Sequence, residues 1–119
     1  SSMSVAVGES YVQAMNACSA ASLWQHAVEL FSQSEIAFDG VMQGQIRLYL
    51  YTALVSAIEK SSRWQQILQI MDDMRTNSVP PDHRVYFRAL KACGDSGQPE
   101  AIIALVKEMN ESEIQMEEK

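Results

Sequence analysis

The stretch LYLYTALVSAIEKSSRWQQILQIMDDMRTNSVPPD, residues 48–82, decides the fold. Leu48, Tyr51, Leu54, Val55 and Ile58 recur at helical spacing and make one apolar stripe. After a short polar interruption, Trp64, Ile67, Leu68, Ile70, Met71 and Met74 make a second, wider stripe. A stripe that wide suits a helix covered both by its own partner and by the next pair of helices. Ser78-Val79-Pro80-Pro81-Asp82 then ends the second helix. Proline lacks the N–H that a helix interior needs, and Asp82 is a natural N-cap for whatever follows.

The same pattern recurs on both sides. Tyr86 lies 35 residues after Tyr51, and Tyr11 lies 40 before it. Counting forward from each tyrosine gives matched columns. At six residues stand Ala17, Ala57 and Ala92, and at seven Cys18, Ile58 and Cys93. At thirteen stand Trp24, Trp64 and Pro99, and at sixteen Ala27, Ile67 and Ile102. Leu30, Ile70 and Leu105 follow at nineteen, then Phe31, Met71 and Val106 at twenty. The expected architecture is all-α, an α-solenoid of about three helix-turn-helix units in a single domain over 1–119. The units span about 8–47, 48–82 and 83–117. The first is five residues longer than the others, and Phe38-Asp39-Gly40 with Gly44 point to an extended loop there. Ser1-Ser2-Met3 reads as a cloning remnant, which leaves the natural start and any targeting segment outside this sequence.

The turns carry their own expectations. Ser22-Leu23-Trp24-Gln25 and Ser62-Arg63-Trp64-Gln65 match the capping-box pattern, in which serine accepts from a backbone N–H at the helix start. In the third unit Gly97, Pro99 and Glu100 take that place, with proline early in the helix where its missing N–H costs nothing.

Composition sets the outer limits. Hydrophobic residues make up 47% of the chain and glycine plus proline are few, which excludes a disordered tail. No run reaches the roughly 18 to 20 apolar residues of a membrane helix. The net charge is −6. Much of it sits between Glu108 and Lys119, where five acids face one base. The acidity is therefore concentrated in the last stretch and weighs less against a phosphate partner than the total suggests. Cys18 and Cys93 share one apolar column, so both read as buried thiols in a reducing compartment rather than as a redox or metal pair.

Catalytic signatures are missing. His26 and His83 sit in different units without an acid or thiol at ligand spacing, and each reads as a surface residue. There is no glycine-rich phosphate loop, no G-x-S-x-G and no C-x-x-C. Asp72-Asp73 and Glu117-Glu118 are sequence neighbours that point about 100° apart on a helix, so they read as solvated charge. The chain is expected to be no enzyme, with no cofactor and no metal.

What remains is the face opposite the core. On the first helices it carries Glu9, Val12, Gln13 and Asn16 in unit one, and Tyr49, Thr52, Ser56 and Lys60 in unit two. In unit three it carries Arg84, Phe87, Arg88 and Lys91. Arg84, Arg88 and Lys91 stand at i, i+4 and i+7 and form one ridge beside an aromatic ring. Cations for phosphate and a ring for base stacking are what single-stranded nucleic acid recognition uses. A solvated helix face is the plainer alternative.

The units resemble the pentatricopeptide repeat. The middle unit carries the likeness best, through Leu-Tyr-Leu-Tyr-Thr-Ala-Leu-Val from Leu48, Lys60, Trp64, Ile70-Met71, Met74 and the closing Val79-Pro80-Pro81-Asp82. The third keeps Tyr86, Leu90, Gly97, Ala101, Leu105 and Met109. The first is looser and lacks the Pro-Asp ending. The resemblance implies binding of single-stranded RNA in mitochondria or plastids, in RNA processing, editing, stability or translation, and so a mitochondrial setting. It implies about one base per unit, chosen by the residue after the tyrosine and the last residue of the unit. In unit two these are Thr52 and Asp82, the family's pairing for guanine, with Tyr49 packing on the base and Lys60 facing phosphate. Unit one offers Val12 and Arg47 with Glu9, and unit three offers Phe87 and Glu117 with Arg84; neither is a usual combination. The expected interface is therefore Tyr49, Thr52, Lys60, Asp82, Arg84, Phe87, Arg88 and Lys91. A protein-binding scaffold on the same concave face is the alternative, and a non-catalytic part of a larger RNA-processing enzyme a third.

Overall fold

Among the described residues the periodicity becomes six helices: α1 (Ser2–Ala20), α2 (Trp24–Phe38), α3 (Gly44–Glu59), α4 (Trp64–Thr76), α5 (His83–Asp95) and α6 (Pro99–Glu117). The structure, a computed structural model, describes the backbone of residues 2–38 and 44–117 and the side chains of residues 6–37 and 45–112. Most of the loop expected between the first two units, including Asp39 and Gly40, lies outside the described residues. So does the side chain of Glu117. The chain is all-α, with no strand among the described residues.

Among the described residues, helices touch only helices one or two places away in the chain. α1 packs on α2 and α3, α3 also on α2, α4 and α5, and α5 also on α4 and α6. The odd-numbered helices thus contact one another in sequence, whereas α2, α4 and α6 make no close backbone approach to each other. The molecule measures 42 × 36 × 19 Å, and its shortest dimension is close to two helix diameters. The central position of α3 explains its composition. Leu50, Tyr51, Ala53, Leu54, Val55, Ala57 and Ile58 are all buried, because four other helices cover it. Where α2 packs on α3, the Phe31 ring sits 4.8 Å from the Tyr51 ring. Tyr51 also accepts a hydrogen bond on its hydroxyl from Asn77 Nδ2 at 3.0 Å.

The wide stripe of α4 is borne out, with Ile67, Ile70, Met71 and Met74 buried. Cys93 is buried and Cys18 partly so, and both are free thiols. Burial pushes the Cys93 thiol up, away from the reactive thiolate.

Asp82 caps α5 as expected, its Oδ1 accepting from the Val85 N–H at 3.2 Å. The capping boxes at Ser22 and Ser62 do not form. Both serines are left-handed, with φ of 59° and 58°, and α4 starts after Arg63 with no side-chain cap. They close the preceding helix instead. Ser22 N–H donates to the Ser19 carbonyl and Leu23 N–H to that of Cys18, the paired bonds of a Schellman ending. Ser78 and Gly97 close α4 and α5 in the same way, with φ of 61° and 65°. Ser22, Ser62 and Gly97 share one column, eleven residues after each tyrosine. A glycine in that column reports a backbone that needs positive φ, and this requirement, rather than a cap, is what the serines satisfy.

Candidate nucleic-acid interface

The polar positions of α1, α3 and α5 come together on one face of the molecule. A hollow of about 160 Å³ is lined by Val12 and Asn16 from α1, by Tyr49, Thr52, Ala53 and Ser56 from α3, and by Arg84 and Arg88 from α5. A second hollow, of about 280 Å³, is lined by Glu59, Arg84, Phe87, Arg88 and Lys91. Arg84 and Arg88 border both, so the two form one groove with a guanidinium wall between them. Six of the eight residues expected from sequence line it.

Helical spacing accounts for the arrangement. Arg84, Arg88 and Lys91 share one face of α5, while Val85, Tyr86, Ala89, Ala92 and Cys93 on the other side are buried. Phe87 is 60% exposed, a large apolar ring in water, with His83 edge-on at 6.4 Å. Tyr49 is 40% exposed, and its hydroxyl accepts from Gln45 Nε2 at 3.0 Å. Thr52 Oγ1 donates to the Leu48 carbonyl at 2.7 Å, which commits its proton and leaves its lone pairs as acceptors.

The remaining two residues are engaged elsewhere. Lys60 Nζ donates to the Ser19 carbonyl at 2.7 Å and so completes the C-terminal end of α1. Asp82 lines neither hollow; it reaches the groove through Arg84, whose Nε and Nη2 donate to its Oδ2 at 3.0 and 2.8 Å. Burial acts to raise the Asp82 carboxyl, but the Arg84 bonds and the Val85 N–H outweigh it and hold the group below the usual carboxylate range.

Glu59 is not visible as a site residue in the sequence. It is the last residue of α3 and its side chain is only 8% exposed. Its two oxygens face Arg88 Nη1 at 3.4 Å and Lys91 Nζ at 3.7 Å. Lys91 also pairs with Asp95 at 3.2 Å, and this bond, with the fields of Glu59 and Asp95, raises its pKa. The ridge of three cations is therefore matched by Glu59, Asp82 and Asp95. It is a pre-oriented set of donors whose local charge is close to balanced, not a bare positive patch. Away from the groove, Arg47 pairs with Glu35, and Arg75 with Asp72 and Glu108.

No group of three or more metal-binding side chains occurs among the described residues, and no described helix is long and apolar enough to cross a membrane. No family model, curated protein or solved structure matches the chain.

Proposed function

We propose that the chain is a non-catalytic helical-repeat module that binds single-stranded RNA along the groove of α1, α3 and α5. On this reading the six helices are three stacked hairpins of an α-solenoid, and the odd-numbered helices line its concave side. The observation that carries the proposal is the shared groove. Two partly exposed rings, Tyr49 and Phe87, lie along it with Arg84 and Arg88 between them. Rings with flat faces accept any base by stacking, and guanidinium groups between them suit the phosphates of the linking backbone. Hydroxyl and amide groups at Thr52, Ser56 and Asn16 supply acceptors and donors for base edges. The resemblance to pentatricopeptide repeats points the same way and adds a mitochondrial setting in RNA processing.

A second reading has its own support. With Glu59, Asp82 and Asp95 matching the cations, and an overall charge of −6, the groove also suits a protein segment. Binding of random single-stranded RNA pools at two salt concentrations separates the two. RNA recognition predicts affinity that falls with salt and drops about tenfold or more on Arg88→Glu. No binding at low salt overturns it in favour of the scaffold. Within the RNA reading, Thr52→Asn is expected to change the base preferred by unit two. An unchanged preference removes Thr52 from base selection.

A further inference from the structure

Charge divides between the odd-numbered and the even-numbered helices. Among the described side chains α2 carries Glu29 and Glu35, α4 carries Asp72 and Asp73, and α6 carries Glu100, Glu108 and Glu111. Only Arg75 and Lys107 oppose them, which leaves the even-numbered helices at −5. With three acids and four bases, α1, α3 and α5 together stand at +1. The cations of α5 are each matched by a carboxylate, but Glu29, Asp73, Glu100 and Glu111 have no ion-pair partner among the described residues.

On this acidic side α4 and α6 leave a trough between them, of about 190 Å³. Leu68 and Met71 from α4 and Ala101, Ala104 and Leu105 from α6 line it, and Asp72, Arg75 and Glu108 complete the rim. Each wall is about two helical turns, or about 10 Å, long. At one end Arg75 reaches across to Glu108 at 2.9 Å while holding Asp72 at 3.0 Å, so its charge is already matched. The matched columns explain why the trough is open. Fifteen and eighteen residues after the tyrosine, unit one carries His26 and Glu29 and unit two carries Gln66 and Gln69. Unit three carries Ala101 and Ala104 there, so long polar side chains give way to methyl groups on the side that α6 turns towards α4.

We infer that this trough docks an amphipathic, basic helix of a partner protein. The apolar side of that helix lies on Leu68, Ala101 and Ala104, and its lysines or arginines face the surrounding carboxylates. A strip of apolar floor between two helices, with charge along its edges, is the surface that helix-in-groove recognition uses. The small side chains of Ala101 and Ala104 let the incoming backbone approach closely, and the apolar lining removes its side chains from water. Complementary charge selects the occupant. A side at −5 repels nucleic acid and acidic peptides, and a second copy of this chain, at −6, is disfavoured as well. Docking here leaves the groove of α1, α3 and α5 open and is independent of what that groove binds.

Fluorescence anisotropy with a labelled amphipathic helical peptide of leucine and lysine tests it on the full chain. The peptide is expected to bind, and the same peptide with glutamate in place of lysine, or with its sequence scrambled, is expected to bind at least about tenfold more weakly. The double variant Ala101→Gln, Ala104→Gln gives α6 the residues that α4 carries in those columns, so it is compatible with a folded helix, and circular dichroism checks this. It is expected to weaken the leucine–lysine peptide about tenfold while leaving single-stranded RNA affinity within about twofold. No binding of that peptide overturns the inference. So does equal binding of the glutamate or scrambled peptide, or binding that the double variant leaves unchanged. RNA that binds the variant much more weakly places the RNA on this side and overturns it too. Sedimentation equilibrium covers the remaining occupant: self-association that the double variant abolishes assigns the trough to a second copy instead.

Discussion

Replacing Glu59 by glutamine keeps the shape of the side chain and removes one negative charge from between Arg88 and Lys91. In the native protein, three cations of α5 face three carboxylates, so a phosphate entering the groove must compete with Glu59 for two of them. The substitution frees two cations at most. Each cation that newly neutralises a phosphate of a single strand steepens the dependence of log affinity on log salt by about 0.7. The expected steepening is thus about 0.7 to 1.4. A fourfold reduction in salt then favours the variant over the native chain by about threefold to sevenfold more. Glutamine still offers an oxygen to Arg88, so the stability cost is about 1 kcal/mol or less. Fluorescence anisotropy with a labelled single-stranded RNA, at two salt concentrations and with thermal melts as control, measures both quantities. A folded variant that binds no more tightly at low salt, with an unchanged salt slope, refutes the view that Glu59 restrains the phosphate-facing cations.

Further expectations concern Lys60, the helix-closing turns and the Asp82 cap. Lys60→Met removes the bond to the Ser19 carbonyl and is expected to cost about 1 kcal/mol while leaving RNA affinity within about twofold; urea melts and binding titrations read the two effects separately. Gly97→Ala meets no neighbouring atom within 4 Å, so the cost of about 1 kcal/mol expected at φ 65° is that of the backbone alone. Ser22→Gly relieves the same strain and is expected to stabilise the chain by about 0.5 kcal/mol, seen as a higher melting temperature. Asp82→Ala is expected to cost about 1 kcal/mol at neutral pH, whereas asparagine keeps a cap. Because the Asp82 carboxyl is held below its ordinary value, its ionised form contributes stability that is complete above about pH 4. That contribution is lost as the pH falls through the lowered value, and Asp82→Asn removes this part of the acid dependence. Melts at about pH 7 and about pH 3 check the sign.

The helices are legible in the sequence because their signals are local and repeated. Asp82 caps α5 and Pro99 opens α6, each where backbone chemistry puts it, whereas α4 opens at Trp64, one residue later than a cap at Ser62 would have it. The serine turns mislead because Ser-x-x-Gln also fits a helix ending, and only the glycine in the same column distinguishes the two. The groove is legible in its outline, since helical periodicity puts Tyr49 and Thr52, and Arg84, Phe87, Arg88 and Lys91, on the sides opposite the core. Its electrostatics are not. Glu59 looks like an ordinary last polar residue before a turn, and its partners stand 29 and 32 positions away, brought near only by the packing of α3 on α5. Lys60 likewise has the right type and place for phosphate, and a carbonyl 41 residues earlier takes one of the three N–H donors of its ammonium.

Photo-crosslinking of 4-thiouridine RNA to the chain, with the modified residues located by mass spectrometry, tests the central claim most directly. Crosslinks are expected at Tyr49 and Phe87 on the groove of α1, α3 and α5, and they are expected to be lost on Arg88→Glu. Crosslinks confined to α2, α4 or α6, or none at low salt, contradict RNA binding along that groove.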